Sequence, residues 1–332
     1  MFQTELIHFL QSFESDWLTK VFYFFTTLGF KEFFLVFVIV FMFGINFKKG
    51  LVLTHVIIVT GLITEMLKHI FSLPRPYHVD SKVKMLGKNV INDSPFTDGS
   101  ADSFFGLPAS DVIDYYKNKT GMLFGLPSGH TSTAVIIWGS IFLLYKKYWI
   151  KTTCLFLILL IPLSRLYLGR HFLGDVLGGY LVGGVLLLFF YLLYYKNGFR
   201  RLRSRSIRFS SKFFVHLVYL LFTPLLFFVA FPEIHTRLSG TLLGINFLLV
   251  YFTAKGFPKH YQSIIKRCLA SIVAIIFFSS LSFILYQLFN VFLPDTLLLK
   301  FVTSGFITAF GIWTTVQLCS GLRLLKLDSF AD

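Results

Sequence analysis

Residues 173–195 read LGDVLGGYLVGGVLLLFFYLLYY, a run with one carboxylate, no lysine and no arginine. At about 1.5 Å per residue, a helix of that length crosses the roughly 30 Å of hydrocarbon in a bilayer. Eight further stretches have the same character: 32–47, 51–73, 129–146, 150–167, 213–231, 238–254, 268–291 and 299–320. The expectation is an all-α polytopic membrane bundle of about nine transmembrane helices. Ahead of it, Phe2, Leu6, Ile7, Phe9, Leu10 and Phe13 recur at helical spacing, which predicts an amphipathic helix at the membrane interface. The apolar stretch 21–30 is too short to cross alone.

Composition agrees. The 332 residues have a mean hydropathy of +0.72 and are 14% charged, where soluble domains average about 25%. The formal charge of +15 would suggest nucleic acid in a soluble protein, but in a membrane protein it reports topology, because lysine and arginine collect in cytoplasmic loops. With the N-terminus outside, alternate loops carry Lys48 and Lys49; Lys146, Lys147 and Lys151; the run from Lys196 to Lys212; Lys255, Lys259, Lys266 and Arg267; and Arg323 with Lys326. All fall on one side, which is therefore the cytoplasmic one and holds the C-terminus. No nucleic-acid partner is expected. Cys154, Cys268 and Cys319 lie in or beside apolar runs and form no disulfide framework. The first residues lack a basic stretch before an apolar core, so no cleaved signal peptide is expected.

The opposite side holds the long segment 74–128, a short turn at 168–172, and tips near Pro232 and Pro294. Segment 74–128 is too long for a simple connection; it is polar, contains a helical pattern at 111–117, and reads as a lid or site loop. The basic run 196–212 marks the internal boundary: five spans precede it and four follow, the latter with no assigned role.

Three clusters of reactive side chains fall on that non-cytoplasmic side. Lys68 and Arg75-Pro76 end the second span. Alone, such cations usually reach for headgroups. Pro127-Ser128-Gly129-His130 opens the third span; glycine admits close backbone approach, a helix start presents N–H donors, and histidine can transfer a proton near neutral pH. Its ordinary reading is a helix cap with a bystander histidine. Ser164-Arg165, then His171 and Asp175, lie between the fourth and fifth spans. A carboxylate four residues on can hold one imidazole nitrogen and make the other more basic, although a structural pair would look the same. Together the clusters offer three cations, backbone donors, two histidines and a carboxylate, a set suited to a tetrahedral oxyanion. No clustered carboxylates of a two-metal site are visible, so no metal or other cofactor is expected.

The motifs KHIFSLPRP (68–76), PSGH (127–130) and SRLYLGRHFLGD (164–175) resemble the signature of the type 2 phosphatidic acid phosphatase (PAP2) superfamily, KxxxxxxRP, PSGH and SRxxxxxHxxxD, at every signature position. The resemblance covers 68–175 closely and the first five spans in arrangement; it leaves 196–332 unexplained. It implies a PAP2-type catalytic core over 1–195, a basic cytoplasmic loop at 196–212 and a four-helix extension over 213–332. It also implies a phosphatase in which His171 takes the phosphoryl group, Asp175 orients it and His130 protonates the leaving oxygen. Lys68, Arg75, Ser128, Gly129 and Arg165 would bind the phosphate.

An outward site at the membrane boundary favours a phosphorylated lipid as substrate, phosphatidate-like, polyprenyl pyrophosphate, phosphatidylglycerophosphate, sphingoid or lipid A in type. A soluble sugar phosphate, phosphoryl transfer to a second lipid, and a non-enzymatic transporter or scaffold remain open. Arg170 either touches substrate or faces headgroups, and His235 and His260 are expected at the interface.

Overall fold

The computed structural model describes residues 1–87, 91–119, 122–196 and 211–327. It is almost wholly helical: α1 (Glu5–Gln11), α2 (Asp16–Thr27), α3 (Lys31–Val40) extended by a π-helical turn at Phe41–Ile45, α4 (Phe47–Phe71), α5 (Pro76–Val79) and α6 (Ser110–Lys117). Then come α7 (Gly129–Leu144), α8 (Tyr148–Tyr167), α9 (Leu173–Phe190), α10 (Ser211–Ala230), α11 (Pro232–Lys255), α12 (Ile264–Phe292) and α13 (Leu297–Gly321). A two-residue antiparallel pair joins β1 (Lys259–His260) to β2 (Leu325–Lys326).

The chain is an integral membrane protein. Among the described residues six helices are long and apolar enough to span, and a pair bent by 55°, Asp16–Thr27 with Lys31–Ile45, makes up to seven. The stretches expected to cross at 129–146 and 213–231 appear as the shorter apolar helices Gly129–Leu144 and Leu220–Ala230. Length and hydropathy therefore give six or seven spans where the sequence suggested nine. Helix α7 falls short because it stops before Lys146-Lys147, whereas α10 runs unbroken through Pro224.

Two compact units divide the chain. One comprises Met1–Phe33 and Ile63–Tyr195, the other Phe34–Leu62 and Lys196–Asp332. The boundary after residue 195 falls where the basic run begins, but residues 34–62 group with the C-terminal helices and not with the first spans. Their attachment is polar as well as apolar, since His55 Nδ1 on α4 lies 2.6 Å from Asn246 Oδ1 on α11. Of the basic run itself, residues 197–210 lie outside the described residues.

In the first unit α7 packs against both α8 and α9. Glycines on α9 set the distance: a Cβ at Gly179 would lie 2.6 Å from Thr131 Cβ, and one at Gly183 would lie 2.7 Å from Val135 Cβ. Small residues one turn apart let the two backbones approach, as in other membrane helix pairs. Pro162 in α8 has no N–H for the carbonyl of Ile158, and Tyr180 of α9 donates its hydroxyl to that carbonyl at 2.8 Å. The clamp fixes the last turn of α8, which carries Arg165.

The segment following α4 is a small packed layer. Leu73, Val79, Val83, Ala101, Val112 and Tyr116 form a core with Phe2, Ile7 and Phe172. The predicted helix at 111–117 is α6. Helix α1 is tied into this layer: Gln11 donates to the carbonyls of Lys84 (2.8 Å) and Tyr167 (3.2 Å), and His8 Nε2 lies 2.7 Å from Asp80 Oδ2. Ile7 is thus buried in protein, while Phe9 on α1 and Phe13 just beyond it stay exposed.

In the second unit α11 and α13 lie backbone to backbone: a Cβ at Gly244 would be 2.4 Å from the Gly305 carbonyl. Pro224 leaves the Leu220 carbonyl without its helical donor, and Asn246 Nδ2 fills that place at 2.6 Å. The pairing of Lys259 with Lys326, and Lys48 over the Phe257 ring, gather three of the basic loops at one end of this unit.

Candidate active site

Asp175 occupies the third position of α9, where its carboxylate reaches back to cap the helix. Its Oδ2 accepts from the Phe172 backbone N–H at 3.0 Å and lies 3.1 Å from His171 Nδ1. Both side chains are buried. This pairing fixes Nδ1–H toward the carboxylate and leaves Nε2 as the imidazole's basic nitrogen. Close packing at Gly125, where a Cβ would lie 2.7 Å from Asp175 Oδ2, keeps the carboxylate in place.

The second cluster meets the third through the backbone. The Ser128 N–H donates to the Asp175 carbonyl at 2.8 Å, and the Ser128 side chain caps α7. Helix α7 therefore begins beside the His171–Asp175 pair. Gly129 at its first position faces Lys68, since a Cβ there would sit 3.5 Å from Lys68 Nζ and 3.8 Å from Glu65 Oε1. Any larger residue would fill the space between the helix start and the lysine.

The cations close the cup. Lys68 is buried at the end of α4 and paired with Glu65, three residues earlier. Arg75 donates Nε to the Phe124 carbonyl at 3.3 Å. Arg165, buried on the last turn of α8, donates Nη1 to Thr26 Oγ1 of α2 at 2.7 Å. Burial first, then the charges of Arg75, Arg165 and Lys68, hold the His171 imidazole well below its usual value of 6.5. It is therefore neutral at pH 7. The same three cations are the charged neighbours of the His130 ring.

Three buried polar atoms in this cup have no hydrogen-bond partner among the described residues: His130 Nε2, Arg165 Nε and Asp175 Oδ1. Buried polar atoms are rarely left so, and the two nitrogens, placed among cations, suit a bound oxyanion. The three sequence clusters thus come together from α4, α7, α8 and α9, at the end of α7 and α8 opposite Lys146 and Lys147. Among the described residues no three His, Cys, Asp or Glu side chains gather as a metal site requires.

The N-terminal hairpin contributes what sequence reasoning missed. A Cβ on Gly29 would lie 2.4 Å from His130 Cδ2, and the Phe30 ring meets His130 edge-on at 5.3 Å. Thr26 holds Arg165, and Thr64 bonds Ser132 of α7 at 2.9 Å. Only Glu65, at helical spacing from Lys68, left a trace in the sequence; the others depend on contacts between residues 68 to 139 positions apart. Arg170 is held by the backbone of the outer segment and does not face outward to headgroups. It is buried, and its Nη2 donates to the carbonyls of Leu86 (3.2 Å) and Met85 (3.4 Å), tying the outer segment to the turn before His171. His235 is buried, and His260 Nε2 meets the Met42 carbonyl at 2.9 Å.

Comparison with known proteins points the same way. Residues 49–199 match the family model described as PAP2 superfamily. A curated relative, the lipid A 4'-phosphatase of Bacteroides thetaiotaomicron, is 28% identical over 89 residues, which are 27% of this chain and 40% of that protein. The chain thus matches well under half the length of that relative. No solved structure matches. Residues 49–199, which hold all three motif clusters, are thus similar to the PAP2 superfamily.

Proposed function

We propose that this protein is a membrane phosphatase that removes a terminal phosphate from a phosphorylated lipid through a phosphohistidine. The observation that carries the reading is a buried His171, tied to Asp175 at 3.1 Å, with Lys68, Arg75 and Arg165 as its charged neighbours. The three cations and the N–H groups at the start of α7 take the phosphate oxygens. His171 Nε2 attacks phosphorus as the bond to the leaving oxygen breaks, and His130 gives that oxygen its proton. Asp175 accepts the Nδ1–H bond and stabilises the positive ring that forms. Water then attacks the phosphohistidine, His130 takes a proton from it, and inorganic phosphate leaves.

A lipid substrate is supported by the site's place at the ends of apolar helices and by the similarity to a bacterial lipid A 4'-phosphatase. The basic connection Lys146, Lys147 and Lys151, at the other end of α7 and α8, supports a non-cytoplasmic site.

The test is phosphate release by purified protein from phosphatidate, a polyprenyl pyrophosphate, a phosphorylated glycolipid and a hexose phosphate. The expected result is turnover of at least one lipid phosphate, lost in His171→Ala, with hexose phosphate poorer. Turnover that survives His171→Ala sinks the mechanism, and preference for hexose phosphate sinks the lipid assignment.

A further inference from the structure

The C-terminal helices, which the family match leaves out, carry a cavity of about 310 Å³ where the start of α11, the end of α12 and the start of α13 meet. Arg237, Lys300, Asn290, Thr303 and Tyr286 line it, with Asp295 at its rim. This is the end of the unit opposite Lys255, Lys259 and Arg323. It lies at the ends of the apolar helices α11, α12 and α13.

Among the described residues its charge is unbalanced. Lys300 pairs with Asp295 at 2.7 Å, but that carboxylate is 81% exposed and screened by solvent. The Arg237 guanidinium lies over the Tyr286 ring at 4.9 Å and makes no hydrogen bond or ion pair among the described residues. A guanidinium held flat on an aromatic ring keeps its edge donors for a planar or tetrahedral anion. A cation merely reaching for bulk headgroups needs neither a ring beneath it nor a cavity beside it.

The walls next to the cavity are apolar and open. Phe292 and Val291 at the end of α12 are both 75% exposed, and Leu298 at the start of α13 is 60% exposed. A ligand with its anion in the cavity therefore has a lipid-compatible surface along which to lay acyl chains.

We propose that this cavity binds a phosphate group, carried on the headgroup of an anionic lipid, with Arg237 and Lys300 as its ligands. The proposal does not depend on the phosphatase reading: no residue of the first site takes part. It gives the extension a task, that of holding a second anionic lipid in a fixed place on the protein.

The test uses full-length His171→Ala protein, so that no probe can be turned over. Retention of phosphatidylglycerol against phosphatidylcholine is measured by native mass spectrometry, in protein with Arg237 and Lys300 intact, in Arg237→Ala, and in Arg237→Ala/Lys300→Ala. Each lost cation is expected to lower phosphatidylglycerol retention by about fivefold. Lys326→Ala, at the other end of the unit, should leave it unchanged. A second arm adds inorganic phosphate to a Tyr286→Trp reporter. Quenching by phosphatidylglycerol vesicles but not by phosphate identifies the lipid, and quenching by both identifies the phosphate group itself. Equal retention of the two lipids, or equal retention in the double variant, overturns the proposal. A double variant that fails to fold is recognised by its melting temperature, and Arg237→Ala then decides.

Discussion

Gly29 touches the ring proposed to protonate the leaving group, so Gly29→Ala tests that role without altering any titratable side chain. An alanine Cβ would stand 2.4 Å from His130 Cδ2 and 3.3 Å from Nε2, whereas ordinary contact begins near 3.4 Å. The ring or the hairpin must therefore give way by about 1 Å. The backbone at Gly29 is not in the left-handed region, so alanine adds no backbone strain there. Overpacking of this kind costs about 1–3 kcal/mol, which an otherwise intact bundle survives. A misplacement of about 1 Å in a reacting group costs on the order of 10²-fold in rate. The assay compares an alkyl phosphate, whose departing oxygen needs a proton, with an aryl phosphate, whose oxygen leaves without one. The alkyl ester should lose about 100-fold in kcat and the aryl ester far less. An equal loss for both esters, or none for the alkyl ester, would refute the assignment of His130.

Asp175→Asn keeps an acceptor for the Phe172 N–H but removes the charge facing His171, so kcat should fall on the order of 10³-fold at nearly unchanged melting temperature; a fall below tenfold contradicts its role. His171 is held below its usual value by burial and by Arg75, Arg165 and Lys68, and the neutral ring is the nucleophile. The acid limb of kcat/KM should therefore lie below the ordinary imidazole value of 6.5, and Arg75→Gln, by removing a positive neighbour, should move that limb upward. Tyr180→Phe leaves the Ile158 carbonyl beside Pro162 unpaired, and should cost about 1–3 kcal/mol in thermal unfolding while leaving KM alone.

Apolar runs and turn residues made the helical architecture and most element ends legible in the sequence. Residues 173–195 announced a span because hydrophobic length is a local property. The reactive clusters were legible for the same reason: Lys68 with Arg75, Ser128 with His130, and His171 with Asp175 are each close in the chain. Their meeting depends on Gly179 and Gly183, whose importance shows only once Thr131 and Val135 lie against them. Thr26, Gly29 and Phe30 were invisible because they act through partners on α7 and α8. The grouping of residues 34–62 with the C-terminal helices was equally hidden, resting on pairs such as His55 with Asn246, 191 positions apart, and Phe47 with Phe252.

Everything in the mechanism rests on a covalent bond from phosphorus to one imidazole nitrogen. Rapid acid-free quenching of the protein with radiolabelled lipid phosphate, followed by peptide mapping, reads that bond directly. The account predicts acid-labile, alkali-stable label on the peptide containing His171, absent in His171→Ala. Turnover with no labelled protein at any quench time, or label on a different residue, would contradict it.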